Sequence, residues 1–190
     1  MEIRELSLPG VFEIVPKKFG DDRGFFSETF SGAVLAKHRL PTEWVQDNHS
    51  YSAQKNVLRG LHYQAHPMAQ DKLVRVVRGS ILDVAVDIRK GSPQFGKFLT
   101  LVVSTAKWNQ ILVPKGFAHG FLTLEPDTEV VYKVTEVYSP QHDRSIKWND
   151  PQIAIDWPLN NITPILSNKD LAAPLLAEQE TGFIFGEYPL

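Results

Sequence analysis

Two histidines in similar settings are the first residues of this chain whose types and spacing could perform chemistry. His62 lies in the apolar run 57–64 and His119 in the run 113–121, and both runs contain glycine close to the histidine. Glycine lets a ligand approach the backbone closely, and imidazole can take up a proton near neutral pH. The pattern favours a pocket lined by both histidines. The alternative for a single histidine is a core residue satisfied by a backbone carbonyl.

The residues around His62 do not fit a metal centre. A barrel metal site of the usual kind has His-x-His on one strand, a carboxylate soon afterwards and a third histidine on another strand. Here residues 62–64 read His-Tyr-Gln, and Pro67, Met68 and Gln70 occupy the positions where the carboxylate is expected. The chain also has no cysteine, which excludes disulfides and thiolate ligands. We therefore predict no metal.

Without a metal, His62 is free to act as a general base. A carboxylate would fix its tautomer and stabilise the imidazolium that forms. The candidates are Asp83, Asp87 and Asp170, and the first two are equally compatible with solvation or an ion pair. Residue spacing does not choose among them.

Lys72 and Tyr132 extend the set of candidate catalytic residues. Lys72 opens an apolar run soon after His62 and could stabilise a developing oxyanion. Tyr132 alternates with Val130 and Val134, so its phenol could enter a barrel interior as a proton donor. The alternatives are a surface charge at a strand end for Lys72, and a wall residue with a satisfied hydroxyl for Tyr132.

A set of polar residues suits a ligand that carries phosphates and amide-like edges. It comprises Arg23, Glu28, Gln46, Asn48, Arg59 and Lys169. Scattered surface ion pairs are the alternative. The chain has neither a P-loop nor a G-x-G-x-x-G motif, so a nucleotide would be held as a substrate. The net charge of -2 and the pI near 6.3 argue against nucleic acid as a partner.

Short apolar segments at nearly even spacing must position these residues. Strands are predicted at 11–15, 25–30, 44–52, 57–64, 73–78, 80–88, 98–104, 110–113, 118–124 and 129–137. Within 57–64, strict alternation places Gly60 and His62 on one face and Arg59 on the other. Helices are predicted only at 33–40 and 168–178. This pattern indicates an all-β sandwich or barrel in one domain, residues 1–190, with an irregular tail from 150.

The first residues show no basic-then-apolar signal pattern, and no apolar run approaches membrane-spanning length. We therefore expect a cytoplasmic protein with no membrane partner.

Several motifs together resemble the dTDP-4-dehydrorhamnose 3,5-epimerase family, over about residues 10–175. They read DDRGFFSE at 21–28, QDNHS at 46–50, LRGLHYQ at 58–64, DVAVDIR at 83–89, PKGFAHGF at 114–121, WNDP at 148–151 and WP at 157–158. The resemblance implies a metal-independent, cupin-type jelly roll with a few short helices. It also implies a homodimer to which region 1–50 contributes, an N-terminal strand crossing to the neighbouring subunit.

The resemblance also implies a role for each candidate. His62 would be the base, Asp170 its partner, Lys72 the enolate-stabilising cation and Tyr132 the acid. Arg59 and His119 match pocket residues near the sugar and phosphates. The dTDP moiety would be held, partly across the dimer interface, by Arg23, Phe26, Glu28, Gln46, Asn48, Tyr138 and Lys169.

The implied substrate is dTDP-4-dehydro-6-deoxy-D-glucose, epimerised at C3 and C5 without a cofactor in dTDP-L-rhamnose biosynthesis. Two alternatives stay open. One is a relative that inverts only C3 or only C5 of a related sugar, with the same fold and base. The other is a non-catalytic sugar-nucleotide-binding cupin, which the complete set of catalytic candidates disfavours.

Overall fold

The computed structural model describes residues 1–187, and their secondary structure is almost entirely β. The strands are β1 Glu2–Glu5, β2 Phe12–Val15, β3 Lys18–Asp21, β4 Gly24–Ser27, β5 Gln46–Ser52, β6 Leu58–Gln64, β7 Lys72–Arg78, β8 Ser80–Asp87, β9 Phe98–Ser104, β10 Gln110–Val113, β11 Phe117–Thr123, β12 Thr128–Val134 and β13 Asp143–Ser145. The helices are α1 Gly32–Lys37, α2 Asn168–Leu171 and a 3-10 turn at Leu176–Glu178. The all-β prediction is confirmed.

Two antiparallel sheets form a jelly roll. One has the strand order β1-β2-β10-β7-β12-β5 and the other the order β13-β6-β11-β8-β9. Apolar side chains from both sheets, among them Val74, Val130, Ala85 and Phe121, pack together in one buried cluster. Burying these two faces against each other accounts for the sandwich, since each sheet has an apolar face that must be covered.

The tail covers the outer face of the second sheet. Strand β8 alternates as predicted, with Val84 and Val86 turned away from the cluster between the sheets. These residues pack against Ile146, which follows β13, and against Trp157 and Phe183 from the tail. Strand β8 is therefore buried on both faces, which explains why Ile81, Leu82, Val84, Ala85 and Val86 are apolar on either face. That residues 1–190 form one domain stays a prediction, and residues 188–190 lie outside the described part.

The predicted helix at 168–178 is wrong as a single helix. It divides into α2 and the 3-10 turn, and Pro174 lies between them. Proline lacks a backbone N–H and its ring clashes with the preceding turn, so a helix does not continue through it. Three short strands were not predicted, namely β1, β3 and β13. Strand β3 pairs with β4 in a hairpin separate from both sheets.

The strict alternation predicted for 57–64 is also wrong. On β11, His119 pairs with His62 but Phe121 pairs with Arg59, so the register shifts between the two pairs. The shift inserts one extra residue into β6, which is the effect of a β-bulge. Arg59 and His62 consequently line the same cavity, instead of facing opposite ways.

Two glycines meet at this shift. A Cβ built on Gly60 would lie 2.5 Å from the Cα of Gly120, and Gly60 has a φ of +126°. No other side chain fits this contact, and the positive φ favours glycine as well. The expectation that a ligand approaches the backbone at Gly60 is therefore wrong, because the backbone of Gly120 occupies that space.

Candidate active site

A cavity of about 450 Å³ opens between the two sheets. This volume lies within the range of small-molecule sites. Strands of both sheets, the residue before β6, the segment before α2 and α2 itself supply its lining: Ser50, Val57, Leu58, Arg59, His62, Lys72, His119, Phe121, Tyr132, Ile165, Leu166, Ser167 and Asp170. The structure thus brings together the four predicted catalytic residues, and Arg59 and His119 with them.

His62 and Asp170 form a direct pair across 108 positions of sequence. Nε2 of His62 lies 2.5 Å from Oδ1 of Asp170, and Asp170 is only 2% exposed. Burial lowers the pKa of His62, and the hydrogen bond to Asp170 and its charge oppose that effect. For Asp170, burial acts to raise the pKa, but hydrogen bonds from His62 and Ser167 outweigh it and leave the pKa below its usual value. The structure therefore holds a neutral imidazole against an ionised carboxylate.

Lys72, the first residue of β7, lies beside this pair. Its Nζ donates to the backbone carbonyl of His62 over 3.4 Å. Burial lowers the pKa of Lys72 to about 8, although Asp143 and Asp83 act in the opposite direction. The surface-charge interpretation is wrong, because the side chain lines the cavity.

Tyr132 reaches the cavity from β12. It is half-buried, and it packs against the cluster between the sheets together with Val130. Burial raises the pKa of Tyr132, so the phenol keeps its proton at neutral pH. A protonated phenol in the cavity wall is able to donate a proton.

A second histidine–carboxylate pair was not predicted. Nε2 of His119 lies 2.8 Å from Oδ2 of Asp83, and Asp83 is fully buried. Burial raises the pKa of Asp83, while the charges of His119 and Lys72 oppose the rise. The sequence did contain a signal, because alternation places Asp83 among the buried residues Ile81 and Ala85, and a buried carboxylate needs a partner.

Four of the residues expected to bind nucleotide form a hydrogen-bonded network. Nε2 of Gln46 donates to Oδ1 of Asn48 over 2.8 Å, and Oε1 of Gln46 accepts from the backbone N–H of Tyr138 over 3.0 Å. Asp143 accepts from the hydroxyl of Tyr138 and from Nζ of Lys169. Asp143 is thus the residue that connects the network, and no motif in its short strand indicated it.

The residues expected from the hairpin region lie elsewhere. Arg23, Phe26 and Glu28 are exposed, and none of them lines the cavity of the same chain. Arg23 instead pairs with Asp21 at 2.5 Å. The structure therefore does not assemble these three residues with His62 within one subunit.

Within residues 1–187, no cluster of three or more His, Cys, Asp or Glu side chains is suited to holding a metal ion. No helix in the same part of the chain has the length and apolar character needed to cross a bilayer.

The fold and the cavity define a jelly-roll protein with a histidine–carboxylate pair placed for proton transfer. Comparison with known proteins specifies the family. Residues 5–178 match the family model described as dTDP-4-dehydrorhamnose 3,5-epimerase, and the chain belongs to this family. A relative of that name from Sinorhizobium fredii is 49% identical over 183 residues, which cover 96% of this chain and 93% of the relative.

Two solved structures are also similar. The Bacillus anthracis dTDP-4-dehydrorhamnose 3,5-epimerase with TDP and PPi bound is 48% identical, with a TM-score of 0.88 over 92% of this chain and 98% of that one. The Legionella pneumophila dTDP-6-deoxy-D-glucose-3,5-epimerase in complex with dTDP-4-keto-L-rhamnose is 46% identical, with a TM-score of 0.88 over 93% of each chain. The resemblance given by the sequence motifs is confirmed.

Proposed function

We propose that this protein epimerises C3 and C5 of dTDP-4-dehydro-6-deoxy-D-glucose, giving dTDP-4-dehydro-L-rhamnose for dTDP-L-rhamnose biosynthesis. The observation that carries the proposal is that the His62–Asp170 pair, Lys72 and Tyr132 line the same cavity. Family membership supplies the substrate class.

The reaction needs a base and a stabilised enolate, because protons next to the C4 ketone are only weakly acidic. Nε2 of His62 faces Asp170, so Nδ1 takes the substrate proton and Asp170 stabilises the imidazolium. The ammonium of Lys72 stabilises the negative charge that develops on O4.

Proton return completes each inversion. Tyr132 donates a proton to the opposite face of the enolate, and its raised pKa keeps the phenol protonated until that step. C3 and C5 flank the same ketone, so one base and one acid serve both centres in turn. Between the two inversions, His62 releases its proton to solvent and the Tyr132 phenolate takes one up from solvent. No cofactor takes part in this scheme.

The nucleotide is proposed to lie beside the cavity, against polar residues that do not themselves line it. Gln46, Asn48, Tyr138 and Lys169 contact the dTDP moiety, while Arg59 and His119 contact the phosphates and sugar. The network of hydrogen bonds among the first four residues supports this assignment, because it places amide, phenol and ammonium groups together.

The protein is proposed to act as a cytoplasmic homodimer. The hairpin β3–β4 exposes Phe19, Phe25 and Phe26 on a two-stranded sheet outside the jelly roll. Exposed aromatic residues on such an extension are typical of a surface that a partner covers. In the dimer, Arg23, Phe26 and Glu28 would contact the dTDP bound by the neighbouring subunit.

NMR of the protein with dTDP-4-dehydro-6-deoxy-D-glucose in deuterated water tests the function. We expect deuterium at C3 and C5, and an L-rhamnose nucleotide once a reductase is added. Deuterium at one centre would favour the single-centre relative, and none would indicate a binding protein or another sugar. His62→Asn should abolish exchange yet bind dTDP in calorimetry, and near-normal turnover of this variant would refute the base assignment.

A further inference from the structure

The Asp170 carboxylate is held from both of its oxygens. Oδ1 faces Nε2 of His62, and Oδ2 accepts a hydrogen bond of 2.7 Å from the hydroxyl of Ser167. A serine hydroxyl has one proton to donate, so this bond commits it to Asp170. Ser167 also lines the cavity.

The same hydroxyl fixes the backbone of Asp170. Oγ of Ser167 accepts from the backbone N–H of Asp170 over 3.1 Å, which makes Ser167 the N-cap of α2. Ser167 therefore restrains both the backbone amide and the carboxylate of Asp170. The torsions that would turn Oδ1 away from His62 are thereby limited.

Backbone hydrogen bonds tie this segment to the strand that carries the histidine. The N–H of Ile165 donates to the carbonyl of Asn56 over 2.8 Å, and the N–H of Leu58 donates to the carbonyl of Ile165 over 2.9 Å. Ser167 follows two residues after Ile165. These backbone bonds and the His62–Asp170 pair together fix the distance between β6 and α2.

We propose that Ser167 is a positioning residue that aims the Asp170 carboxylate at His62 and satisfies its second oxygen. This proposal rests on the role of His62 as base in the proposed function. The proposed role differs from that of an ordinary helix cap, because losing a cap would lower stability and leave proton transfer unchanged. Hydrogen bonds to charged groups contribute about 1.5–3 kcal/mol, which corresponds to a factor of about 10 to 160 in rate.

The experiment measures kcat and KM for deuterium exchange in Ser167→Ala, Ser167→Gly and Ser167→Thr. Alanine and glycine should lower kcat by about 10-fold to 160-fold and leave KM within about threefold of the wild-type value. Glycine is tolerated at an N-cap, so Ser167→Gly removes the hydroxyl even if Ser167→Ala fails to fold. Threonine keeps a hydroxyl and should restore most of kcat.

Two further variants test whether Ser167 acts on kcat through Asp170. In an Asp170→Ala background, Ser167→Ala should cause no additional loss, because residues that act through one another are not additive. Ser92→Ala is the matched control, since its hydroxyl donates over 2.7 Å to the buried Asp87, which pairs with Arg89. It should leave kcat unchanged.

The outcomes separate this proposal from the proposed function. If wild-type protein exchanges no proton, the proposed function fails. If wild-type protein exchanges and Ser167→Ala and Ser167→Gly keep full kcat, the positioning role is refuted and the base assignment stands. An additional loss in the Asp170→Ala background, or no rescue by threonine, would also refute it.

Discussion

Replacing Asp170 by asparagine tests whether its charge drives proton abstraction. Asparagine has nearly the same shape, so the substitution removes the charge and little packing. Oδ1 of Asp170 lies 2.5 Å from Nε2 of His62, and Asp170 is 2% exposed. The electrostatic partner of the imidazolium is therefore lost from a site that water does not screen strongly.

The expected loss follows from the distance between the charges. Two unit charges about 4 Å apart at an effective dielectric constant of about 20 attract by about 4 kcal/mol. If half of the unit charge is taken as developed on His62 in the transition state, about 2 kcal/mol is lost, or about 30-fold in rate. An asparagine amide can also donate to Nε2 and select the wrong tautomer, which would add to the loss.

The assay follows deuterium incorporation at C3 by NMR at saturating substrate, and calorimetry measures the affinity for dTDP. We expect kcat to fall by about 30-fold or more, with dTDP affinity unchanged. Asp156→Asn, which removes an exposed carboxylate, is the control and should behave as wild type. An Asp170→Asn protein with kcat within about threefold of wild type would refute the electrostatic reasoning, and so would a loss explained by weaker dTDP binding.

Other predictions concern the cation Lys72, the acid Tyr132 and the close contact of Gly120 with β6. The ratio kcat/KM should fall as pH rises through about 8, because Lys72 is protonated below that value and loses its proton above it. A pH-rate profile of Lys72→Arg should lack this decrease at alkaline pH. An unchanged decrease would contradict the role of Lys72. Tyr132→Phe should slow the second inversion more than proton exchange, as measured by NMR of the product mixture; equal losses would count against the acid role. Gly120→Ala would place a Cβ 2.8 Å from the carbonyl oxygen of Arg59, so urea denaturation should show a loss of about 1–3 kcal/mol. Gly20→Ala has only an ordinary contact of 3.6 Å and serves as its control, so equal effects of the two would contradict the steric argument.

Local pattern was sufficient for most of the strands. The predicted segments 98–104 and 110–113 coincide with β9 and β10, and the alternation of 80–88 correctly separates the two faces of β8. Such predictions succeed because side chains alternate with a period of two along a strand, and burial selects apolar residues on each covered face. The broken His-x-His pattern likewise left a proton-transfer role open for His62.

Motif resemblance added what spacing could not give. Three aspartates were candidate partners for His62, and only the resemblance selected Asp170. The spacing from Ser167 to Asp170 is typical of an N-cap with an acidic residue three positions later, so local pattern does indicate where α2 begins. Residue spacing does not decide the role of Asp83, although its place among buried residues indicates that it needs a partner.

Tertiary structure alone decided which residues share the cavity. His62 and Asp170 are 108 positions apart, and they meet because the tail packs over the sheet that contains β6. The break in alternation at Gly60 depends on Gly120 from another strand, so no pattern within 57–64 could reveal it. The sequence determined the elements and the types of chemical group, since both depend on local periodicity and residue chemistry. Their distances depend on contacts between distant segments, and only the folded chain establishes those.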